Sequence, residues 1–144
     1  MLKRSAIIFA ITLVGAFAAH AQADTVMVLP FENTTQKAEF NWVGESFADS
    51  LSDLLRIPAL NVVSNEERKL IQQKLRIPLT NLPSLATSLK LARESNATIL
   101  VSGRYNIIPA QGETAATINV TAKIVRVNEG RFMNEELADG RRIT

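Results

Sequence analysis

The chain has 144 residues, with 16 Lys+Arg against 14 Asp+Glu, a formal net charge of +2. That length holds one ordinary domain, and 47% apolar with 21% charged residues is the composition of a packed protein, which excludes general disorder. Cysteine is absent, so disulfide frameworks, zinc ribbons, thiol catalysis and lipid attachment through cysteine are excluded as well.

The chain opens with Lys3 and Arg4 ahead of an apolar and small-residue run from Ala6 to Ala19. That run is 14 residues long, short of the roughly 20 a bilayer crossing needs. It exits through Ala19-His20-Ala21-Gln22-Ala23, two overlapping Ala-x-Ala signals. A charged start, a short apolar core and a small-residue exit are the parts of a secretory signal peptide, the alternative being an uncleaved anchor. Residues 1–23 are therefore read as a leader, cut at the Ala21/Ala23 signal so that Asp24 becomes the first residue. Removing Lys3 and Arg4 leaves 14 cations against 14 acids, and His20, the only histidine, goes with them.

Behind the leader, Thr25–Leu29 is a short apolar run closed by Pro30 and reads as a strand buried on both faces. Glu32 to Asn41 is polar and aperiodic, a loop. From Trp42, Val43, Phe47, Leu51, Leu54 and Leu55 recur at helical spacing until Pro58 forbids continuation. Leu60–Val63 is a second strand. Ser64 and Glu67 form a capping-box pattern that opens a helix through Leu70, Ile71 and Leu75. Leu-Arg-Ile-Pro ends both helices; a cation at the negative helix end before a proline explains both copies without a repeat. Pro83 suits the first turn of a third helix, with Leu85, Ala86, Leu89 and Ala92 on one face. Ala97–Gly103, extending toward Ile108, is a further strand. Then Ala116, Ile118, Val120, Ala122 and Ile124 alternate with Thr117, Asn119, Thr121 and Lys123, the clearest strand in the chain. Asn128-Glu129-Gly130 turns it into an edge strand from Arg131 to Leu137, and Asp139-Gly140 turns again. The order β-α-β-α-α-β-β-β predicts a single α/β domain over 24–137, a mixed parallel and antiparallel sheet with helices packed on it. Residues 138–144 are read as a tail or the start of a further region.

Without histidine or cysteine behind the leader, Ser-His and Cys-His triads have no base, and zinc, copper and haem sites lack their usual ligands. Ser-x-x-Lys does not occur, and no two glycines lie closer than nine positions, which forbids the phosphate-binding and dinucleotide loops. No calcium loop is present. These exclusions point to a non-enzyme that needs no cofactor and no metal. Zero net charge and scattered aromatics exclude nucleic acid as a partner. What remains are surfaces. Glu45, Asp49 and Asp53 fall at i, i+4 and i+8 on the first helix, a solvated stripe before an acidic docking face or, least favoured, the carboxylates of a hydrolase, which would need a cleft and opposed environments. Phe31, Phe40 and Trp42 gather around one loop, either as core or as a partner hot spot.

Val26-Met27-Val28-Leu29-Pro30-Phe31-Glu32-Asn33, then Gly44-Glu45-Ser46-Phe47-Ala48-Asp49 running into Leu54-Leu55-Arg56-Ile57-Pro58, resembles the opening of TolB N-terminal-like domains. Leu60–Ser64, Ser95–Gly103 and the closing hairpin near Gly130 continue the likeness in order, from about Thr25 to Phe132. The wider group takes in the CsgG secretion channel, FlgO-type flagellar proteins and the LpoB activator of cell-wall synthases. The resemblance implies a non-catalytic α/β module of the bacterial envelope, periplasmic or secreted, whose partners are other envelope proteins. It often stands ahead of a β-propeller or tetratricopeptide repeats. This chain departs from CsgG and LpoB in lacking the lipoprotein cysteine, so a soluble periplasmic form is expected, with no membrane span once the leader is cut. The second reading is a subunit of a CsgG-like transport oligomer, with the 114–137 hairpin contributing to a pore.

Overall fold

The computed structural model describes residues 22–79 and 82–138. The leader core, Ala21 and the Asp139-Gly140 turn with the tail behind it lie outside the described residues. Two strands open the fold, β1 (Asp24–Val28) and the two-residue β2 (Glu32–Asn33), followed by a 3-10 turn over Ala38–Phe40. Then come α1 (Trp42–Leu54), β3 (Leu60–Val62), α2 (Asn65–Lys74), α3 (Leu85–Glu94), β4 (Ile99–Ile108), β5 (Thr117–Arg126) and β6 (Arg131–Ala138). The domain is the mixed α/β sheet with packed helices that the element order predicts.

The sheet runs β3-β1-β4-β5-β6. β1 lies parallel to both β3 and β4, while β4-β5-β6 is an antiparallel meander. β2, inside the segment predicted as a loop, continues alongside β4, pairing Glu32 with Arg104 and Asn33 with Tyr105. Pro30 explains the gap: it has no N–H to give the ladder, so the strand breaks there and resumes two residues on.

Side chains alternate across β1 and feed two cores. Val26 and Val28 join Phe31, Ala48, Val101 and Tyr105 on the face covered by α1. Met27 and Leu29 join Leu91, Ala92, Leu100 and Val125 on the face covered by α2 and α3. The alternating row Ile118, Val120, Ala122 and Ile124 packs into the α1 core. Val125 and Val127, at the alternate positions of β5 and just past its end, serve the opposite core, and the β5–β6 register shifts between Ile124 and Val125, where β6 carries one extra residue.

Three details differ from the sequence reading. Leu54 is 76% exposed, because α1 seats Val43, Phe47, Leu51 and Leu55 with the small Ala48 and Ser52 between them. In α3 the buried stripe is Ser88, Leu91 and Ala92, and Leu85 stands 43% exposed. Pro83 precedes the helix: Ser84 is the N-cap, its Oγ accepting from the Thr87 N–H at 3.3 Å. The capping serine of α2 behaves as predicted, Ser64 Oγ accepting from the Glu67 N–H at 3.1 Å.

The two Leu-Arg-Ile-Pro copies end their helices differently. After α2, Arg76 adopts φ 56° and the N–H groups of Arg76 and Ile77 reach back to the carbonyls of Gln73 and Gln72, a Schellman closure. After α1 no residue takes the left-handed conformation; Arg56 bonds to Asp53 O and Ile57 to Leu55 O. Asn96 closes α3 as Arg76 closes α2.

Candidate functional site

The segment after β1 carries the candidate aromatics, and its path is fixed by a close approach. Phe31 N–H donates to Gly44 O at 3.1 Å, and a Cβ on Gly44 would stand 2.0 Å from the Phe31 carbonyl oxygen, so only glycine lets α1 start this near β1. Phe31 itself turns inward. It is 5% exposed and stacks on Phe47 at 5.7 Å, and Phe47 meets Tyr105 at 5.9 Å. As a surface candidate Phe31 is corrected: it is core, because the alternation resumed after Pro30 points it at α1.

The loop between β2 and α1 is stitched to β4. Thr34 N–H and Oγ1 both donate to Tyr105 O at 2.9 Å, and Thr35 Oγ1 accepts from the Ile107 N–H at 2.9 Å. Asn33 Nδ2 donates to Lys37 O at 2.9 Å and to Asn41 Oδ1 at 2.8 Å, while Asn33 Oδ1 accepts from Thr35 N–H. Tyr105 Oη donates to Phe40 O at 2.6 Å. Burial pushes the Tyr105 phenol above its ordinary pKa, opposed in part by the backbone at Gly44. The result is a short loop held in one shape, with Phe40 half-buried and Trp42 67% exposed at the first position of α1.

The acidic row divides. Glu45 Oε1 accepts from Arg68 Nη2 at 2.7 Å and from Lys69 Nζ at 3.1 Å. Asp49 Oδ1 accepts from Asn65 Nδ2. Asp53 faces solvent and pairs with Arg56, just past the end of α1, at 3.4 Å. Two of the three carboxylates therefore clasp α1 to the start of α2 and are not spread along a free face.

Sequence reasoning missed Arg68. It is 2% exposed, and besides Glu45 its Nη1 donates to Gln72 Oε1 at 2.6 Å. A signal was present: Arg68 stands three residues before Ile71 and seven before Leu75, on the apolar stripe of α2, where an arginine needs a buried partner.

Arg68, Gln72 and Glu45 line a crevice of about 360 Å³ beyond the carboxyl end of β1, rimmed by Leu79, Leu82 and Pro83. A second hollow of about 260 Å³ lies on the α3 side of the sheet, between Leu82 and Leu85 and the strand residues Arg104, Lys123 and Phe132. Lys123 Nζ sits over the Phe132 ring at 5.6 Å. Among the described residues no group of three or more His, Cys, Asp or Glu could hold a metal ion. No helix among them is long and apolar enough to cross a membrane.

Neither a protein-family model nor a curated protein sequence matches the chain. Solved structures do. The C-terminal domain of LpoB from Salmonella enterica superposes with a TM-score of 0.62 at 12% identity, covering 92% of this chain and 93% of that one. Its Escherichia coli counterpart gives 0.58 at 15%, with 90% of each chain covered. Lipoprotein GNA1162 from Neisseria meningitidis gives 0.62 at 15%, over 81% and 83%. At such identities the likeness is one of fold, and the fold is that of the LpoB C-terminal domain and GNA1162.

Proposed function

We propose that the chain is an exported, non-catalytic module of the bacterial cell envelope that binds other envelope proteins, as a scaffold or recognition domain. The observation that carries this reading is Trp42, a large aromatic left 67% exposed at the end of a loop that six side-chain hydrogen bonds hold in one shape. A tryptophan in a preorganised setting is the residue type on which protein interfaces concentrate their energy. Phe40 flanks it, and Glu45, Asp49 and Asp53 run down the same helix. The leader, with cleavage at the Ala21/Ala23 signal ahead of Asp24, supports export to the periplasm or beyond. The fold shared with a protein described as a lipoprotein supports an envelope setting. We read the domain as TolB N-terminal-like, of the kind that precedes tetratricopeptide repeats.

The alternative, a subunit of a CsgG-like transport oligomer, draws less support. A pore hairpin turns an apolar row toward lipid, and here Ile118, Val120, Ala122 and Ile124 are used by the domain's own core.

The test is capture of envelope proteins by the purified domain and by its Trp42→Ala variant. A specific partner whose binding weakens by about 2 kcal/mol or more in the variant supports the reading. A partner bound equally well by both moves the interface elsewhere.

A further inference from the structure

In an open sheet, adjacent strands that send their connections to opposite faces leave a crevice beyond their carboxyl ends, and ligands bind there. β1 leads into α1 on one face, and its neighbour β3 leads into α2 on the other. The crevice of about 360 Å³ opens between those two helices, within the size range of small-molecule sites, about 300–1,000 Å³. Arg68 lines it while 98% buried, and a guanidinium carries five N–H donors. Gln72 and Glu45 each take one, and Nε is buried with no acceptor among the described residues. A buried cationic donor left unpaired is costly enough to call for an acceptor.

We infer that the crevice binds a monoanionic carboxylate carried beside an apolar side chain, the carboxylate on Arg68 and the side chain against Leu79, Leu82 and Pro83. Glu32 and Glu45 line the same crevice and repel a dianion such as phosphate. A carboxylate matches the planar edge of the guanidinium with a single charge. The apolar rim selects a ligand whose carboxylate sits next to a hydrocarbon group. A free acylated amino acid and a polypeptide C-terminus share that chemistry.

The experiment is titration of the ¹⁵N-labelled protein, read at the Arg68 Nε–H and the Gln72 side-chain amide. The probes are N-acetyl-leucine, the pentapeptide Gly-Ser-Gly-Ser-Leu, N-acetyl-leucinamide and inorganic phosphate. A saturable shift of both signals with one or both carboxylates, and none with the amide or phosphate, is expected. Which carboxylate responds assigns the source. Leu82→Asp puts a like charge on an exposed rim position and should weaken the response at least about tenfold, with the remaining spectrum unchanged. Arg68→Lys keeps the charge but loses the edge, and weakens it similarly where the variant folds. No shift with either carboxylate, an equal shift with the amide, or indifference to Leu82→Asp overturns the inference.

Discussion

The clasp between α1 and α2 makes an asymmetric prediction. Arg68 is buried to 3% of its side chain, whereas Glu45 keeps 36% of its own in contact with water and also holds Lys69. Deleting either partner removes the same 2.7 Å ion pair, yet the groups left behind differ. Glu45→Ala leaves a guanidinium that is almost wholly buried without its counter-charge, and breaking a fully buried pair in that way costs about 3–5 kcal/mol. Exposure of Glu45 discounts this, because its carboxylate was partly screened by solvent to begin with, and about 2–3 kcal/mol is expected. Arg68→Met fills similar space, leaves Glu45 to Lys69 and water, and orphans only Gln72 Oε1, for about 1–2 kcal/mol. Urea denaturation gives both values, and the slope should stay unchanged so that midpoints compare directly. The double variant should cost less than the sum of the singles by at least about 1 kcal/mol, since the second substitution removes a group the first had stranded. Additive costs, or a Glu45→Ala cost below about 0.5 kcal/mol, the level of an exposed pair, would mean that burial of Arg68 does not make the pair asymmetric.

Other consequences follow from single residues. Gly44→Ala drives a Cβ to 2.0 Å from Phe31 O, with backbone on both sides of the clash; thermal denaturation should show a loss of about 3 kcal/mol or more. Arg76→Gly relieves a left-handed conformation at the end of α2 and should gain about 1 kcal/mol in urea midpoint, the Schellman bonds being made by backbone alone. Tyr105→Phe loses the bond to Phe40 O, about 1 kcal/mol near neutral pH. The folded phenol is raised above its ordinary 10.0, so its contribution is complete below pH 10.0 and is lost as pH rises through the folded value. The difference in stability between the two forms should therefore change at alkaline pH and be flat below it.

The local signals in the sequence were sound where one segment decides the outcome. Ser64 caps α2, Pro58 and Pro78 lie past their helices, and the alternation through Ile118, Val120 and Ile124 turns its apolar row inward. Periodicity failed where a hydrophobic position lies at the margin of its stripe. Leu54 and Leu85 keep helical spacing but face solvent, because small residues (Ala48 and Ser52 in one helix, Ser88 and Ala92 in the other) set how closely each helix approaches the sheet. The acidic row looked like one feature because i, i+4 and i+8 share a helix face. Only the arrival of α2 beside α1, a contact across 23 residues of chain, commits Glu45 to Arg68 and leaves Asp53 in water. Phe31 could not be told from Phe40 and Trp42 for a similar reason. Whether an aromatic beside a loop points in or out depends on the short β2 behind Pro30, which has too few residues to announce itself by alternation.

If the loop before α1 presents Trp42 to an envelope protein, position 42 lies within crosslinking reach of that partner. A photo-crosslinking amino acid placed at position 42 and, as a control, at the exposed β5 position 119, expressed in the native host, tests it most directly. A discrete protein adduct is expected from position 42, found in the extracytoplasmic fraction and diminished by Phe40→Ala, with none from position 119. A chain retained in the cytoplasm, or adducts from position 119 and none from position 42, would contradict it.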